Sequence, residues 1–443
     1  MSTTTLTEAP TAKLSTHDER ARHAIYGAFF TEFVDMFDIY LPVVVLAPVL
    51  FYFQPPDLGP GRAASLASLV FVTTLLGRPL GAIIFGVIAD RRGRRFASIW
   101  SVAGFAVVTL LIALLPGYRD VGLSSYLCLI GLRFIDGIFL GGGYTASHPL
   151  ALEYTSKSKR GFVGGLIVAA FAAAYVAISA VAAMMYWIAP LGGLESPYVA
   201  WGWRVPFVIG SVLAGILAIY YCRQVSESEI WKSDVETPRC GAPAVSRKRQ
   251  ATTLLQVLVL VTGLWTTEFM ITLYMPSVLF PQILHVTGSL LTFTLIAIYT
   301  LVFFGFIAAG MIAQRIGRRR FFVWSLVLIA TVGVMLYYVL SCSAGASFGT
   351  QLLLACSVSV LVTSPWGVVV PYISERFETG FRATGFGIGW SLSSIVPSFY
   401  AFYITALDQV LPPEMSPSVL LLCGSILALC GAIAGPETKD VDL

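Results

Sequence analysis

Gly86-Val87-Ile88-Ala89-Asp90-Arg91-Arg92-Gly93-Arg94-Arg95 decides the reading of this chain, because it is short and strongly basic and is flanked on both sides by apolar runs of membrane length. It returns as Gly310-Met311-Ile312-Ala313-Gln314-Arg315-Ile316-Gly317-Arg318-Arg319, 224 residues later in a chain of 443. Half of the molecule is a duplicate of the other half. A second pair of motifs says the same: Pro149-x-x-x-Glu153-x6-Arg160 reappears as Pro371-x-x-x-Glu375-x6-Arg382, offset by 222.

Composition agrees with a membrane setting. Apolar residues are 57% and charged residues 12%, against about 45–50% and about 25% in soluble domains. A span needs about 20 apolar residues, and twelve are expected, at 24–53, 62–89, 96–115, 122–147, 162–189, 203–223, 254–283, 289–313, 320–341, 347–371, 381–405 and 416–436. The expected organisation is a tail at 1–23, a six-helix bundle at 24–223, a linker at 224–253, a second bundle at 254–436 and a tail at 437–443. The linker, with Ser226, Glu227, Glu229, Lys232, Pro238, Gly241, Pro243 and Arg247-Lys248-Arg249, is the longest polar stretch and is expected to carry a short amphipathic helix near its start. Two parallel six-helix halves imply a pseudo-twofold axis along the membrane normal and a substrate site near the midplane.

Of the 28 Lys and Arg, twenty-three fall on one side of these spans, three (Arg62, Arg119, Arg204) on the other and two (Arg78, Arg133) within them. Basic loops stay in the cytoplasm, so both termini are expected there, in a multi-pass protein of a plasma or bacterial inner membrane. The same topology accounts for the basic clusters without nucleic acid. The polar first 23 residues have no apolar core of the kind a cleaved signal peptide carries. The seven cysteines lack metal or redox spacing and read as small apolar fillers.

Glycines and prolines are dense inside the spans, as at Pro42, Pro48, Gly137, Gly141-Gly142-Gly143, Pro276, Gly385, Gly387, Gly389 and Pro397, and are expected to serve close packing and kinks. Ionisable residues within spans are costly, about 2.5–3.5 kcal/mol each on insertion scales, and each needs a partner or a task. There are seven: Glu32, Asp35, Asp38, Arg78, Arg133, Asp136 and Glu268. Five acids against two bases leave carboxylates that no buried cation neutralises, and protonation is the least costly remedy. Glu32, Asp35 and Asp38 are three apart and form one stripe along helix 1. Arg133 and Asp136 are also three apart and can pair along their own helix, but Arg133 can instead face Asp35 or Asp38.

The loop pattern G-x-x-x-D-R-x-G-R-R resembles the loop between helices 2 and 3 of the major facilitator superfamily. Arg133-x-x-x-Gly137 resembles the helix-4 pattern of its proton carriers, where the arginine takes part in coupling. Asp35-Met36-Phe37-Asp38, Arg78-Pro79-Leu80-Gly81 and Trp201-Gly202-Trp203-Arg204-Val205-Pro206-Phe207 together resemble the metabolite:proton symporter branch. Where that branch often has Gly-Gly-Glu in helix 4, this chain has Gly142-Gly143-Tyr144.

The resemblance implies an all-α protein of twelve transmembrane helices in two pseudo-symmetric bundles. It further implies a gate built from Gly86, Asp90, Arg91, Gly93, Arg94, Glu153 and Arg160 and their counterparts Arg315, Gly317, Arg318, Glu375 and Arg382. In that gate Asp90 meets the start of helix 11, the arginines pair with acids of the Glu153 type, and Gln314 makes the second copy weaker. Proton coupling is expected at Asp35, Asp38, Arg133, Asp136 and Glu32. Substrate contact is expected from Arg78, Tyr40, Tyr144, Glu268, Trp265, Trp366 and Trp390, with His148, Tyr175, Tyr274 and Tyr299 as further cavity candidates.

The function so expected is proton symport of a small anionic or zwitterionic metabolite such as a carboxylate, by alternating access in a monomer without cofactor or metal. A proton-antiport exporter, or a sugar or drug facilitator of the same fold, is the alternative. No metal-spaced cluster and no Gly-x-x-x-x-Gly-Lys loop occurs, which argues against a metalloenzyme or a nucleotide-driven pump.

Overall fold

Long apolar runs bounded by Gly-Arg loops fold as helices, and the computed structural model describes residues 11–55, 60–236 and 247–443. Parts of the expected linker (Pro238, Gly241, Pro243) and Cys240 lie outside the described residues, as do the side chains of Lys13, Arg62 and Arg247. The helices are α1 (Asp18–Tyr52), α2 (Leu69–Arg92), α3 (Arg94–Ala113), α4 (Ser124–Glu153), α5 (Lys157–Ile188), α6 (Tyr198–Arg223), α7 (Lys248–Ile283), α8 (Gly288–Ile316), α9 (Arg318–Ser341), α10 (Phe348–Arg376) and α12 (Ser416–Ala434). These eleven are long and apolar enough to cross a membrane.

The twelfth, α11, is assembled from Arg382–Ser391, Leu392–Ser394, Ile395–Ser398 and Tyr400–Leu407. Its sequence reads as one continuous span, yet Pro397 removes a backbone donor and cannot sit in an unbroken helix without displacing the preceding turn. The ladder tightens at Leu392–Ser394 and breaks at Phe399. Helices α1 and α7 are also irregular where prolines fall: wide π turns occupy Pro42–Leu46 and Met270–Ile283. A short helix at Glu229–Glu236 follows α6.

Helices α1–α6 form one half and α7–α12 the other. Between the halves α5 lies along α8, and α2 along the start of α11. Small residues set both distances. A Cβ on Gly165 would stand 2.6 Å from the Phe306 carbonyl oxygen, and one on Gly86 would stand 2.8 Å from Thr384 Cα. Glycine at these places lets backbones touch where no water is available to solvate them.

The two basic loops turn at Gly93 and Gly317, with φ of 105° and 107°. That left-handed region is costly for a side-chain-bearing residue. The first backbone N–H groups of α3 are bound by Glu227, which accepts from Arg94 at 2.8 Å and Arg95 at 3.0 Å. Those of α9 are bound by Glu437, which accepts from Arg318 at 2.7 Å and Arg319 at 3.1 Å. Each acid satisfies two of the orphan donors at a helix start and places negative charge at the positive end of the dipole.

Candidate functional site

Helix α1 carries its three acids to three different partners. Asp35 binds Arg78 of α2 directly, and the Arg78 guanidinium lies 4.8 Å from the centre of the Tyr144 ring. Asp38 accepts from Arg133 of α4 at 2.8 Å and from the Thr109 hydroxyl of α3 at 2.8 Å. Glu32 stands 3.1 Å from His148 Nε2. Arg133 also donates to Asp136 at 2.8 Å, so two carboxylates share one guanidinium. All of these residues are buried.

A bare charge at this depth is untenable, and pairing supplies what hydration would. The Asp35–Arg78 pair balances. The Asp38–Arg133–Asp136 group does not: it has one cation for two acids, and a proton on either carboxylate restores neutrality. Both expected pairings of Arg133 therefore coexist, with Asp38 and Asp136 as its partners and Asp35 committed to Arg78.

Glu32 also lines a small central cavity of about 20 Å³ between the halves, with Met36 and Tyr40 of α1, Phe171 of α5, Glu268 and Trp265 of α7, and Trp366 and Trp390. That volume suits about one water, so a solute of several heavy atoms enters only when the walls part. Ring centroids stand 4.4 Å apart for Trp265 and Trp366, 5.1 Å for Trp366 and Trp390, and 6.1 Å for Trp265 and Trp390. The tightened turn of α11 follows directly after Trp390 and Ser391, so this ring is held at the end of a regular segment. Tyr144 sits just behind the cavity, where its hydroxyl meets Ser391 across the halves. Arg78 is turned to Asp35 and Tyr144, behind the lining.

Toward the face opposite the basic loops, Tyr40, Tyr175 and Tyr299 cover the cavity. Tyr175 and Tyr299 stack with centroids 3.9 Å apart and planes at 18°, and Tyr40 lies 4.8 Å from Tyr175. Beyond this layer is a cavity of about 540 Å³, lined by Val43, Tyr175, Ser179, Tyr186, Pro276 and Leu291 among others. Tyr274 is buried within the second half and is absent from both linings.

Toward the basic-loop face the halves are tied by charge. Asp90 accepts from the backbone N–H of Ala383 at 3.2 Å and Thr384 at 3.0 Å, and from the Thr384 hydroxyl at 2.7 Å. Glu153 pairs with Arg94 at 3.0 Å and with Arg382 of the other half at 2.6 Å. Glu375 pairs with Arg318 at 3.2 Å and stands 3.8 Å from Arg160. Gln314 accepts from the Gly161 N–H at 2.9 Å. Residues 437–443 join in: Thr438 donates to Glu375 at 2.7 Å, Arg160 donates to the Val441 carbonyl at 2.7 Å, and Lys157 binds Asp442 at 2.6 Å. The Lys157 ammonium holds the exposed Asp442 carboxyl below its usual range. Arg91 and Arg315 are exposed, and their side chains stand apart from these contacts.

Glu227 enters the sequence reading only as part of the polar linker, and Glu437 has no role in it. Their signal was available: Ser226-Glu227 and Pro436-Glu437 each follow the last helix of a half. Thr384 and Thr438 carry no comparable mark.

The family model described as Major Facilitator Superfamily matches residues 28–401. The chain belongs to this superfamily. It is similar to the proline/betaine transporter of Salmonella typhimurium (strain LT2), 26% identical over 441 residues that cover 96% of this chain and 84% of that protein. The shikimate transporter of Escherichia coli (strain K12) is 23% identical over 437 residues, covering 95% of each. Among solved structures, the proton:xylose symporter XylE bound to 6-bromo-6-deoxy-D-glucose superposes with a TM-score of 0.76 at 17% identity, covering 95% of this chain and 97% of that one. The superfamily's fold accounts for the twelve helices in two related halves. The chain is an integral, multi-pass membrane transporter and not an enzyme.

Proposed function

We propose that this transporter is a proton symporter of the bacterial inner membrane that carries a small carboxylate-bearing metabolite, anionic or zwitterionic, into the cell. The observation that carries the reading is the Asp38–Arg133–Asp136 group, two buried carboxylates on one guanidinium joining α1 to α4. Such a group holds one proton when closed and can exchange it when the helices move apart. The relatives' names point the same way, since proline, betaine and shikimate all carry a carboxylate.

We put the basic loops and both termini in the cytoplasm, a reading that the Lys and Arg asymmetry supports. On that placement the charged seal of Asp90, Glu153, Glu375, Arg94, Arg318 and Arg382 closes the cytoplasmic side, and the cavity of about 540 Å³ faces outward. Proton and substrate arrive from outside, the tyrosine layer parts and recloses, and the seal then opens. The carrier works as a monomer, because each half supplies one wall of the central cavity.

Internal pH of proteoliposomes tests this. Adding a transported carboxylate outside at low external pH is expected to acidify the lumen in the wild type and not in Asp38→Asn. Uptake that moves no protons would overturn the reading.

A further inference from the structure

The central cavity offers a second set of groups that the proton chemistry does not use. Its lining contains two carboxylates, Glu32 and Glu268, and no cation. Arg78 and Arg133 are engaged by Asp35 and by Asp38 and Asp136. A plain anion placed here would meet two acids, with no basic group in the lining and only His148, behind it, against Glu32. A sugar would need hydroxyl and amide partners, yet no Asn, Gln, Ser or Thr lines the cavity.

Glu268 is 4% exposed, and its Oε2 has no hydrogen-bond partner. In a span such an oxygen calls for a cation or a proton. Three indole rings in mutual contact share its cavity, and such rings attract cations through their faces. The Trp265 N–H is satisfied, donating to the Trp390 carbonyl at 3.0 Å. The N–H groups of Trp366 and Trp390 are buried without an acceptor. The cavity thus combines an unmet acceptor, cation-attracting faces and two unmet donors.

We propose that Glu268, Trp265, Trp366 and Trp390 form a head-group site for a zwitterion, taking an alkylated ammonium against Glu268 and the rings and its carboxylate on the Trp366 and Trp390 N–H groups. The proposal deepens the symport reading and rests on it for direction and coupling. A primary ammonium needs three acceptors, which this lining does not supply; an N-alkylated one is recognised by ring faces and a single carboxylate. The assignment also divides the labour. The second half selects the substrate through α7, α10 and α11, while α1 and α4 of the first half carry the proton. Glu32, Met36 and Tyr40 of α1 border both.

The test uses the full chain and one pair of isosteres. Trimethylglycine and 3,3-dimethylbutanoate share shape and carboxylate and differ only in N⁺ against carbon. Binding to purified protein in detergent, read from tryptophan fluorescence, is expected to favour trimethylglycine at least tenfold. Glu268→Gln is expected to lose most of that preference, and Glu268→Asp, which keeps the charge, to retain part of it. Equal binding of the two compounds, or binding of neither, would overturn the proposal. A preference that survives Glu268→Gln would remove Glu268 from the site. Binding needs no pH gradient, so trimethylglycine bound without proton movement in proteoliposomes would end the symport reading alone. Proton-coupled uptake of 3,3-dimethylbutanoate on equal terms would end this one alone.

Discussion

Asp90 and Gln314 stand 224 residues apart and make the same contact, each accepting a backbone N–H from the first turn of a helix in the opposite half: Ala383 and Thr384 for Asp90, Gly161 for Gln314. Only one of them is charged. An anion at a helix N-terminus adds about 0.3–1 kcal/mol, up to about 2 when partly buried. Gln314→Glu is expected to hold the basic-loop side closed longer, and Asp90→Asn to release it. Thr145 of α4 packs against Gly387 of α11 between the halves; in a background without native cysteines, alkylation of Thr145→Cys should slow about two- to fivefold in the first variant and accelerate in the second.

The shared guanidinium makes its own prediction. Arg133→Ala leaves Asp38 and Asp136 buried without a cation, a change that costs about 3–5 kcal/mol. A clear fall in melting temperature in detergent is expected. Asp38→Asn keeps shape and removes the excess charge; it should fold normally, still exchange labelled for unlabelled substrate, and fail to accumulate substrate against a gradient.

The tyrosine layer answers to a different substitution. Tyr299→Ala removes the stack on Tyr175, worth about 0.5–1.5 kcal/mol beyond its buried area. A cysteine at Met36, which lines the central cavity, should then react about two- to tenfold faster with a polar reagent added from outside. An unchanged rate would show that other groups close that side.

Gly93→Ala and Gly317→Ala force a side chain into a left-handed backbone and against Glu227 or Glu437. Strain of about 1–3 kcal/mol is expected from each. Both variants should melt earlier, and the double variant should lose about the sum, because the two turns lie in different halves.

Much of this architecture is legible in the chain. The repeat of the Gly86 and Gly310 stretches marks two related halves, and hydropathy counts their spans. Span 11 reads as continuous because hydropathy is blind to a turn that tightens at Leu392. The acids of α1 are visible as one stripe, but the choice of Arg78 for Asp35 and Arg133 for Asp38 depends on how α2 and α4 are rotated about their axes, which periodicity does not encode. His148 reads as a cavity candidate, but its partner Glu32, on another helix, is not legible in the sequence. The tryptophans are scattered over 125 residues, and their meeting is a product of three tilted helices. Glu227 and Glu437 are missed because their shared position after the last helix of each half does not say which helix start they cap.

The one-cation, two-acid group around Arg133 has an electrical consequence. If the carrier is the inward proton symporter proposed above and its cargo a zwitterion, the cargo brings no net charge, and the proton that completes the Asp38–Arg133–Asp136 group is the only charge carried inward per turnover. A membrane potential of 100 mV, negative inside, then contributes about 2.3 kcal/mol per molecule imported. That corresponds to roughly fortyfold accumulation from voltage alone, before any difference in pH is counted, so a cell that holds its potential at neutral external pH could still fill its cytoplasm through this carrier.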